Sequence, residues 1–265
     1  MADAFDLDAY LRRIGAAPPL SADADTLKRL HRAHVQAIPF ENLDIQMGLP
    51  IEIDAAAVQA ALVNRRRGGY CFQQNGLFRL VLNAVGFAPR SRTARVRLDS
   101  NGSIRPRTHM TLVVPIAGVD WLADVGFGGS GLVEPIVMGG EPVTQDGWTY
   151  RTVREGALHV LQRAHRAEWE DLYAFSDEDA APVDFVMGNW FTSTYPESNF
   201  VRSLTAQRTV GGTRHILRNL TYMVGANGEW TSREISRSEL VPLLREVFGL
   251  DVPVDARFRA IDGRL

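Results

Sequence analysis

Apolar residues recur at helical spacing through the first third of the chain. Four such stretches follow one another, at residues 5–14, 21–38, 54–62 and 71–84. Gly15, Pro39 and Gly86 supply stop signals after three of them, and Asp54 can cap the third helix. We therefore predict a helical segment that ends at Gly86.

Beyond Gly86 the pattern changes to an alternation of apolar and polar positions. It predicts short strands at residues 91–98, 108–116, 121–125, 148–154, 158–163 and 169–175. Turn signals separate several of them, such as Asp-Ser-Asn-Gly at 99–102 and Glu-Gly at 155–156. Short strands at this spacing are typical of a compact barrel or sandwich.

The last third of the chain mixes both patterns. Residues 184–191 predict a connecting helix, and residues 200–208 and 221–224 predict strands. Asn227-Gly228 is a hairpin signal, and Ser236 with Glu239 forms a capping box for a last helix that ends at Gly249. The chain thus reads as an α+β protein of three packed segments, helical, then β, then mixed.

Composition and charge indicate an ordinary folded protein. The 265 residues are 45% hydrophobic, and 29 basic against 31 acidic residues give a net charge of −2, which argues against a nucleic acid or membrane partner. The longest near-continuous apolar run, residues 112–119, is far shorter than the ~20 residues of a membrane span. With one cysteine and no apolar signal core near the N-terminus, we expect a cytoplasmic protein.

The one cysteine, Cys71, lies in the stretch RRRGGYCFQQNG. Gly68 and Gly69 allow a sharp turn that delivers the cysteine to the start of a predicted helix. The free N–H groups and partial positive charge of a helix N-terminus favour the nucleophilic thiolate. The alternative is a buried structural cysteine, but the turn, the helix start and the flanking arginines favour a nucleophile.

A thiolate nucleophile needs a base, and the base needs an orienting group. His109 lies in the second predicted strand and Asp124 in the third. A hairpin centred on Gly118 places these two residues opposite or one diagonal apart, roughly 5–8 Å between Cβ atoms. Since Asp124 lies among apolar residues, it needs a buried partner. Cys71, His109 and Asp124 therefore form a candidate catalytic triad.

The remaining histidines compete weakly for a functional role. His31 and His34 lie one helical turn apart, which can indicate a metal site, but no third ligand is evident. We interpret all five as structural or surface residues and expect no metal; they are His31, His34, His159, His165 and His215.

Asp124 is followed by the loop GFGGSG at residues 126–131, which satisfies the dinucleotide-binding pattern G-x-G-x-x-G. The residues after it do not open a helix, so the context of that motif is missing. A flexible loop remains, whose backbone N–H groups can approach a phosphate or a substrate beside the triad. A plain turn at a barrel corner explains the glycines equally well.

These motifs together resemble the arylamine N-acetyltransferase family. The resemblance rests on RGGYCFQQNG, THMTLVV and WLADVGFGGSG, and it extends to HVQAIPFENL from residue 34 and STYPESNF up to residue 200. It implies a helical bundle at residues 1–86 carrying the nucleophile, a β-barrel at 87–183 carrying His and Asp, and a connecting helix with an α/β lid at 184–265. The implied core is a cysteine-protease-like Cys-His-Asp site.

The resemblance also implies the reaction. Acetyl-CoA is then the co-substrate, with no permanently bound cofactor, and aromatic amines or hydrazines are the acceptors in a ping-pong reaction through acetyl-Cys71, as in xenobiotic metabolism. Implied coenzyme contacts are Gly126, Gly128, Gly129 and Gly131. Implied acceptor contacts are Phe40, Tyr70, Phe127 and Phe200. The expected assembly is a monomer or a homodimer.

One position departs from the family pattern, because Gln73 stands where bacterial members often have Glu. Arg67 can pair with Glu41 instead. We take the arginines between residues 202 and 218 as surface residues, namely Arg202, Arg208, Arg214 and Arg218. The same triad also suits an amide synthase or a hydrolase, and a non-catalytic binding protein is a third hypothesis that the intact triad disfavours.

Overall fold

The computed structural model describes residues 5–166, 168–226 and 229–263. Its helices are α1 (Leu7–Ile14), α2 (Ala24–Ala37), α3 (Leu43–Gln46), α4 (Ala55–Val58), α5 (Cys71–Val85), α6 (Pro182–Thr194), α7 (Asn199–Arg202), α8 (Arg237–Glu246) and α9 (Arg259–Asp262), with a π-helical segment Gln59–Asn64 directly after α4. Its strands are β1 (Phe40–Glu41), β2 (Arg90–Val96), β3 (His109–Ile116), β4 (Val119–Ala123), β5 (Ile136–Val137), β6 (Val143–Gln145), β7 (Trp148–Glu155), β8 (Leu158–His165), β9 (Glu168–Ser176), β10 (Thr205–Val210), β11 (Thr213–Arg218), β12 (Thr221–Ala226) and β13 (Glu229–Glu234).

The strands form two antiparallel sheets. The larger sheet is barrel-like and has eight strands in the order β5-β4-β3-β2-β9-β8-β7-β6. The smaller sheet has the order β1-β10-β11-β12-β13, so the two-residue strand β1 from the helical third joins strands from the end of the chain. In that pairing Phe40 lies opposite Gln207. The predicted α+β class is confirmed, although the sequence pattern does not predict the pairing of β1 with β10.

Helix α5 lies where the helices meet the larger sheet. Its Leu77, Phe78 and Val81 are fully buried in one apolar cluster with residues of α1, α2 and β3. Contacts between α5 and β3 bring the start of the helix close to His109 at the start of the strand. A second cluster fills the inside of the barrel-like sheet, and a third joins β10 and β11 to α8. The first cluster is therefore the one that positions the candidate site.

The helix starts follow local capping chemistry. The side chain of Asp6 accepts a hydrogen bond from the Ala9 N–H at 2.9 Å, and Asp23 accepts from the Thr26 N–H at 2.8 Å. Asp54 caps α4 as predicted, through the Ala57 N–H at 3.0 Å. The single predicted helix of residues 54–62 is wrong in its second half, because the backbone widens there into the π-helical segment Gln59–Asn64.

The last third departs furthest from its prediction. The predicted strand of residues 200–208 is wrong in its first half, because Ser198 caps the short helix α7 and β10 begins only at Thr205. Strand β11 is not predicted at all, since its apolar positions are interrupted by arginines and a histidine. Ser236 donates its N–H to Glu239 at 2.8 Å, as the predicted capping box requires. The predicted turn at Asn227-Gly228 lies outside the described residues.

Two arginines donate hydrogen bonds to carbonyls at the C-terminal ends of three helical segments. Arg13 donates to the carbonyls of Leu62 at 3.1 Å and Ala37 at 2.8 Å. Arg208 donates to the carbonyls of Gln36 at 3.2 Å and Val247 at 3.1 Å. Carbonyls at helix C-termini lack partners within the helix and carry partial negative charge, so guanidinium groups stabilise them. The expectation that Arg208 is a surface residue is therefore wrong.

We expect Arg208→Met to lower the free energy of unfolding by about 2 kcal/mol, because two half-buried carbonyls lose a charged donor. Urea unfolding followed by circular dichroism measures this loss. Arg218→Met is the matched control, because Arg218 is exposed on the neighbouring strand β11. Equal stability of the two variants would contradict the capping role of Arg208.

Candidate active site

Cys71 is the first residue of α5, as the Gly-Gly turn predicts. Gly68 is required by crowding, because a Cβ there would overlap the Pro39 carbonyl and the Glu41 side chain. The carboxylate of Glu41 accepts from the Gly68 N–H at 3.1 Å and from Arg67 at 3.2 Å, so the predicted Arg67–Glu41 pair is confirmed. This buried carboxylate holds the turn that leads into the helix.

The Cys71 side chain is only 4% exposed. Its Sγ lies 3.6 Å from the Thr108 carbonyl, at the residue just before β3. From the other side Gly126 crosses the start of α5 so closely that a Cβ there would lie 2.8 Å from the Cys71 Cα. The Cys71 N–H has no acceptor within the described part of the chain and remains free for a ligand.

His109 and Asp124 form a direct contact, with His109 Nε2 lying 2.6 Å from Asp124 Oδ2. Both side chains are almost completely buried. The β3–β4 ladder ends where Leu112 pairs with Ala123, so His109 and Asp124 lie just past it in a diagonal relation, as predicted. The bond through Nε2 leaves Nδ1 without Asp124, and Cys71 lies close enough to the imidazole to contribute to raising its pKa. The three expected side chains are thus brought together.

Electrostatics favour the charged form of both members of this pair. Burial opposes the imidazolium, but the Asp124 carboxylate and Cys71 outweigh it and raise the pKa of His109 to about 10. Burial likewise opposes the Asp124 anion, but His109, Asn75 and the Gly126 N–H hold its pKa below the usual value. The histidine thereby stabilises the fold below pH 6.5, and this contribution is lost as the pH rises through about 10. The aspartate contributes above pH 3.8 and loses its contribution in acid.

Two aromatic rings enclose the imidazole. The Tyr173 ring centroid lies 4.7 Å from that of His109, and the Phe127 centroid lies 5.2 Å away, edge-on. Tyr173 is fully buried on β9 and bonds Thr111 at 3.2 Å. These rings restrict both the orientation of the imidazole and its access to water. Tyr173 is a residue that sequence reasoning misses, because strand alternation predicts only that it is buried.

Asn75 is a second missed residue. Its Nδ2 donates to Asp124 Oδ1 at 2.8 Å and to the Met110 carbonyl at 2.7 Å. Its Oδ1 accepts from the Val125 N–H at 3.0 Å. Asn75 thus joins α5 to β3 and to the chain after β4. Its spacing of four residues from Cys71, on the same helix face, is the signal that could have found it.

The glycine loop at residues 126–131 uses several of its N–H groups internally. The Gly126 N–H bonds Asp124 Oδ1 at 2.9 Å, the Gly131 N–H bonds the Gly128 carbonyl at 2.8 Å, and the Gly129 N–H bonds Gln207. In the described chain the N–H groups of this loop without an acceptor are those of Phe127, Gly128 and Ser130. Of the three N–H groups that remain for a ligand, one belongs to a glycine, and the other two belong to Phe127 and Ser130.

Arg214 holds this loop from β11. It is 1% exposed, so the expectation of a surface residue is wrong. It donates to the carbonyls of Gly129 and Gly131 and to the Tyr150 hydroxyl, and its guanidinium stacks on Trp148 at 4.6 Å. Tyr150 itself donates to the Gly131 carbonyl at 2.8 Å. Over residues 5–166, 168–226 and 229–263, Arg214 makes no ion pair with a carboxylate.

The four residues expected around the acceptor divide into two places. Phe200 packs against both Phe40 and Tyr70, with ring centroids 6.0 Å apart for Phe40–Phe200 and 5.3 Å apart for Tyr70–Phe200. Phe127 lies instead against the His109 imidazole. The Phe200 carbonyl accepts from Asn42 and Gln46, both at 2.8 Å, which fixes its backbone.

Two of the other histidines lie in the interior of the protein. His31 and His34 are fully buried, and the described residues contain no group of three or more His, Cys, Asp or Glu able to hold a metal ion. His159 lies 2.8 Å from Asp177, an acidic partner that its neighbours in the sequence do not provide. Residues 159 and 177 are far apart in sequence and meet only through the β8–β9 pairing.

The fold and the site together describe an α+β protein in which a cysteine, a histidine and an aspartate are buried close together. A family model described as N-acetyltransferase matches residues 23–257. The arylamine N-acetyltransferase of Mycolicibacterium smegmatis is 38% identical over 257 residues, covering 94% of this chain and 93% of that protein. The chain therefore belongs to the arylamine N-acetyltransferase family and is an acyltransferase.

Two further comparisons bear on ligands. The Mycobacterium marinum arylamine N-acetyltransferase in complex with CoA is similar with a TM-score of 0.87 and 35% identity, covering 92% of this chain and 93% of that one. The proansamycin X synthase of Amycolatopsis mediterranei is 28% identical over 231 residues, covering 85% of this chain and 84% of that protein.

Among the described residues, none of the helices has the length and hydrophobicity that a membrane span requires.

We expect the His109 imidazole to titrate with a midpoint near 10, and to titrate at a markedly lower pH in Asp124→Asn, where the largest effect that opposes burial is removed. Nuclear magnetic resonance of ¹³C-labelled histidine side chains measures both midpoints. His215 is an internal control, because burial lowers its pKa on the smaller sheet. An unchanged His109 midpoint in the variant would contradict the electrostatic role of Asp124.

Proposed function

We propose that this protein transfers the acetyl group of acetyl-CoA to arylamines and arylhydrazines through an acetyl-Cys71 intermediate. The observation that carries the proposal is the 2.6 Å contact between His109 and Asp124, with the buried Cys71 close to the same imidazole. This arrangement supplies a thiolate, an acid–base group and an orienting anion in one row. Acetyl-CoA is a co-substrate here, and no permanently bound cofactor takes part.

In the first half-reaction the Cys71 thiolate attacks the thioester carbonyl of acetyl-CoA. The developing oxyanion lies within reach of the free Cys71 N–H at the start of α5. When the tetrahedral intermediate collapses, the C–S bond to the coenzyme breaks and the His109 imidazolium donates its proton to the departing sulfur. Free coenzyme A leaves, and Cys71 carries the acetyl group.

In the second half-reaction the amine nitrogen attacks the acetyl-cysteine carbonyl. Neutral His109 now accepts a proton from the amine, and the C–S bond to Cys71 breaks as the amide forms. The thiolate and the imidazolium are thereby restored. Asp124 stabilises the imidazolium in the resting and final states. Two products leave in sequence, so the kinetics are expected to be ping-pong.

The glycine loop is the proposed contact for the phosphates of the donor. Its free N–H groups at Phe127, Gly128 and Ser130 suit an anion, and buried Arg214 adds a positive charge behind the loop. In this proposal Gly126 and Gly131 shape the loop, while Gly128 and Gly129 let the donor approach its backbone. The CoA complex of the M. marinum relative supports a coenzyme site in this fold.

The acceptor is proposed to lie against Phe40, Tyr70 and Phe200, with Phe127 closing the side next to His109. Flat aromatic walls suit a planar ring through stacking and edge contacts. We also propose the division into a helical bundle at residues 1–86, a barrel at 87–183 and a lid segment at 184–265. Strand β1 ties the first of these to the last.

Amide synthesis is a second candidate function, favoured by the similarity to proansamycin X synthase. Closing a large ring requires a wide pocket beside the acyl-cysteine. Here Phe200 packs against both Phe40 and Tyr70, and Cys71 is 4% exposed, which supports a small acceptor instead. A hydrolase would use the same triad but would discharge the acyl-cysteine to water.

Brief incubation with acetyl-CoA in the absence of an amine is expected to add one acetyl group to the wild type and none to Cys71→Ser. Intact-protein mass spectrometry measures the adduct. Adding an arylamine should remove it and yield the acetylated amine.

Each reading predicts a different outcome of this experiment. An adduct that disappears as fast without an amine would support a hydrolase. Folded wild-type protein without any adduct would contradict the acetyl-Cys71 mechanism, as would steady-state kinetics that require a ternary complex.

We expect Arg214→Met to raise the KM for acetyl-CoA about tenfold, since the carbonyls of Gly129 and Gly131 lose the group that orients the loop. With p-nitrophenyl acetate, a donor without phosphates, acylation of Cys71 should stay within about twofold of wild type. Arg218→Met is the matched control on the same strand. An equal loss with both donors would contradict a role in donor binding.

A further inference from the structure

His31 contacts the backbone of Asp124 from helix α2. Its Nδ1 lies 2.9 Å from the Val133 carbonyl, and its Nε2 lies 3.1 Å from the Asp124 N–H. A carbonyl can only accept and a backbone N–H can only donate, so Nδ1 carries the proton and Nε2 is the acceptor. The two partners thus select one neutral tautomer of His31.

This contact occurs at the point where the β3–β4 ladder stops. The last paired residue of β4 is Ala123, so the Asp124 N–H has no acceptor in the ladder. Asp124 is 1% exposed, and a buried N–H without a partner is strongly disfavoured. His31 supplies the missing acceptor and allows the chain to leave the sheet at this residue.

Asp124 is consequently held both at its carboxylate and at its main chain. Asn75 and the Gly126 N–H bind one carboxylate oxygen, and His109 binds the other. None of these bonds involves the N–H of Asp124, although the chain next to it is held at Ala123 by the ladder and at the Val125 N–H by Asn75. The bond from His31 fixes the backbone from which the side chain projects.

His31 is also suited to act as a permanent acceptor. It is fully buried, and the Phe78 ring meets it edge-on at 5.7 Å. Burial lowers its pKa to about 4, against the opposing effect of the carboxylates of Asp124 and Glu134. The His31 imidazole is therefore neutral between about pH 4 and about pH 10, where His109 is charged.

We propose that His31 is a positioning residue for the reaction. By holding the Asp124 main chain, it orients the Asp124 carboxylate towards His109. The inference rests on the proposed function, because only a catalytic His109 gives this alignment a kinetic consequence. His31 itself does not touch the reacting atoms. Its role is to keep the imidazole directed at Cys71.

The test compares His31→Phe, which keeps a ring without nitrogen atoms, with His31→Gln, which retains one donor and one acceptor. His34 supplies the matched control. It lies one turn further along α2, is equally buried, and bonds Tyr10 at 2.8 Å and Gln74 at 2.7 Å, without contacting Asp124. His34→Phe should therefore lower stability to a similar extent without altering the His109–Asp124 contact.

The decisive readout is the low-field proton resonance of His109 Nε2–H in the wild type and the variants. We expect it to shift or broaden in His31→Phe, to be retained in His31→Gln and to be unchanged in His34→Phe. The kcat for arylamine acetylation should fall about tenfold to a hundredfold in His31→Phe with the KM for acetyl-CoA nearly constant. His31→Gln should recover most of that loss.

An unchanged resonance and kcat in folded His31→Phe would overturn the proposal, as would an equal loss of kcat in His34→Phe. If His31→Phe does not fold, His31→Met provides the same comparison with a more adaptable side chain. Failure of the proposed function is separately visible, because wild-type Cys71 would then not be acetylated by acetyl-CoA. The His109 resonance would still report the alignment in that case.

Discussion

The contact between His109 and Asp124 places two opposite charges in a region almost without water. A charge buried in this way is strongly destabilising unless it is paired and hydrogen-bonded. Asp124 meets this requirement through His109, Asn75 and the Gly126 N–H. Each of these partners comes from a different part of the chain, namely β3, α5 and the glycine loop. Satisfying one carboxylate therefore fixes the mutual positions of the elements that form the candidate site.

The proposed nucleophile, Cys71, depends on the same arrangement from the side of α5. Asn75 lies four residues after Cys71, so the bond that anchors Asp124 also fixes the distance between the helix start and the strand. Gly126 bonds Asp124 and crosses over the Cys71 Cα, where no side chain fits. Any shift of Gly126 would therefore disturb the carboxylate and the thiol together. Arg214 and Tyr150 hold the other end of the loop, at the Gly131 carbonyl.

The sequence pattern predicts the parts of the site that depend on local signals. Cys71 follows a Gly-Gly turn, and a hairpin about Gly118 brings His109 near Asp124. Signals within short stretches of sequence are therefore enough to predict both features. Arg214 and His31 could not be found in this way. The role of Arg214 depends on β11, a strand whose pattern is masked by its own polar residues. His31 meets Asp124 across 93 positions, and only the packing of α2 against the end of β4 creates that contact.

The same difference between local and distant determinants bears on how the proposed acetyl-cysteine intermediate is protected from water. An acetyl-cysteine must react with an amine before water reaches it, so its surroundings have to be dry and still admit a flat ring. Phe127 and Tyr173 cover the imidazole, while Phe40, Tyr70 and Phe200 form the other wall. Phe200 lies on α7, and its backbone carbonyl accepts hydrogen bonds from Asn42 and Gln46, which belong to the first third of the chain. Exclusion of water from Cys71 thus depends on all three segments, because the barrel supplies Phe127 and Tyr173, while the first and last thirds together supply the other wall.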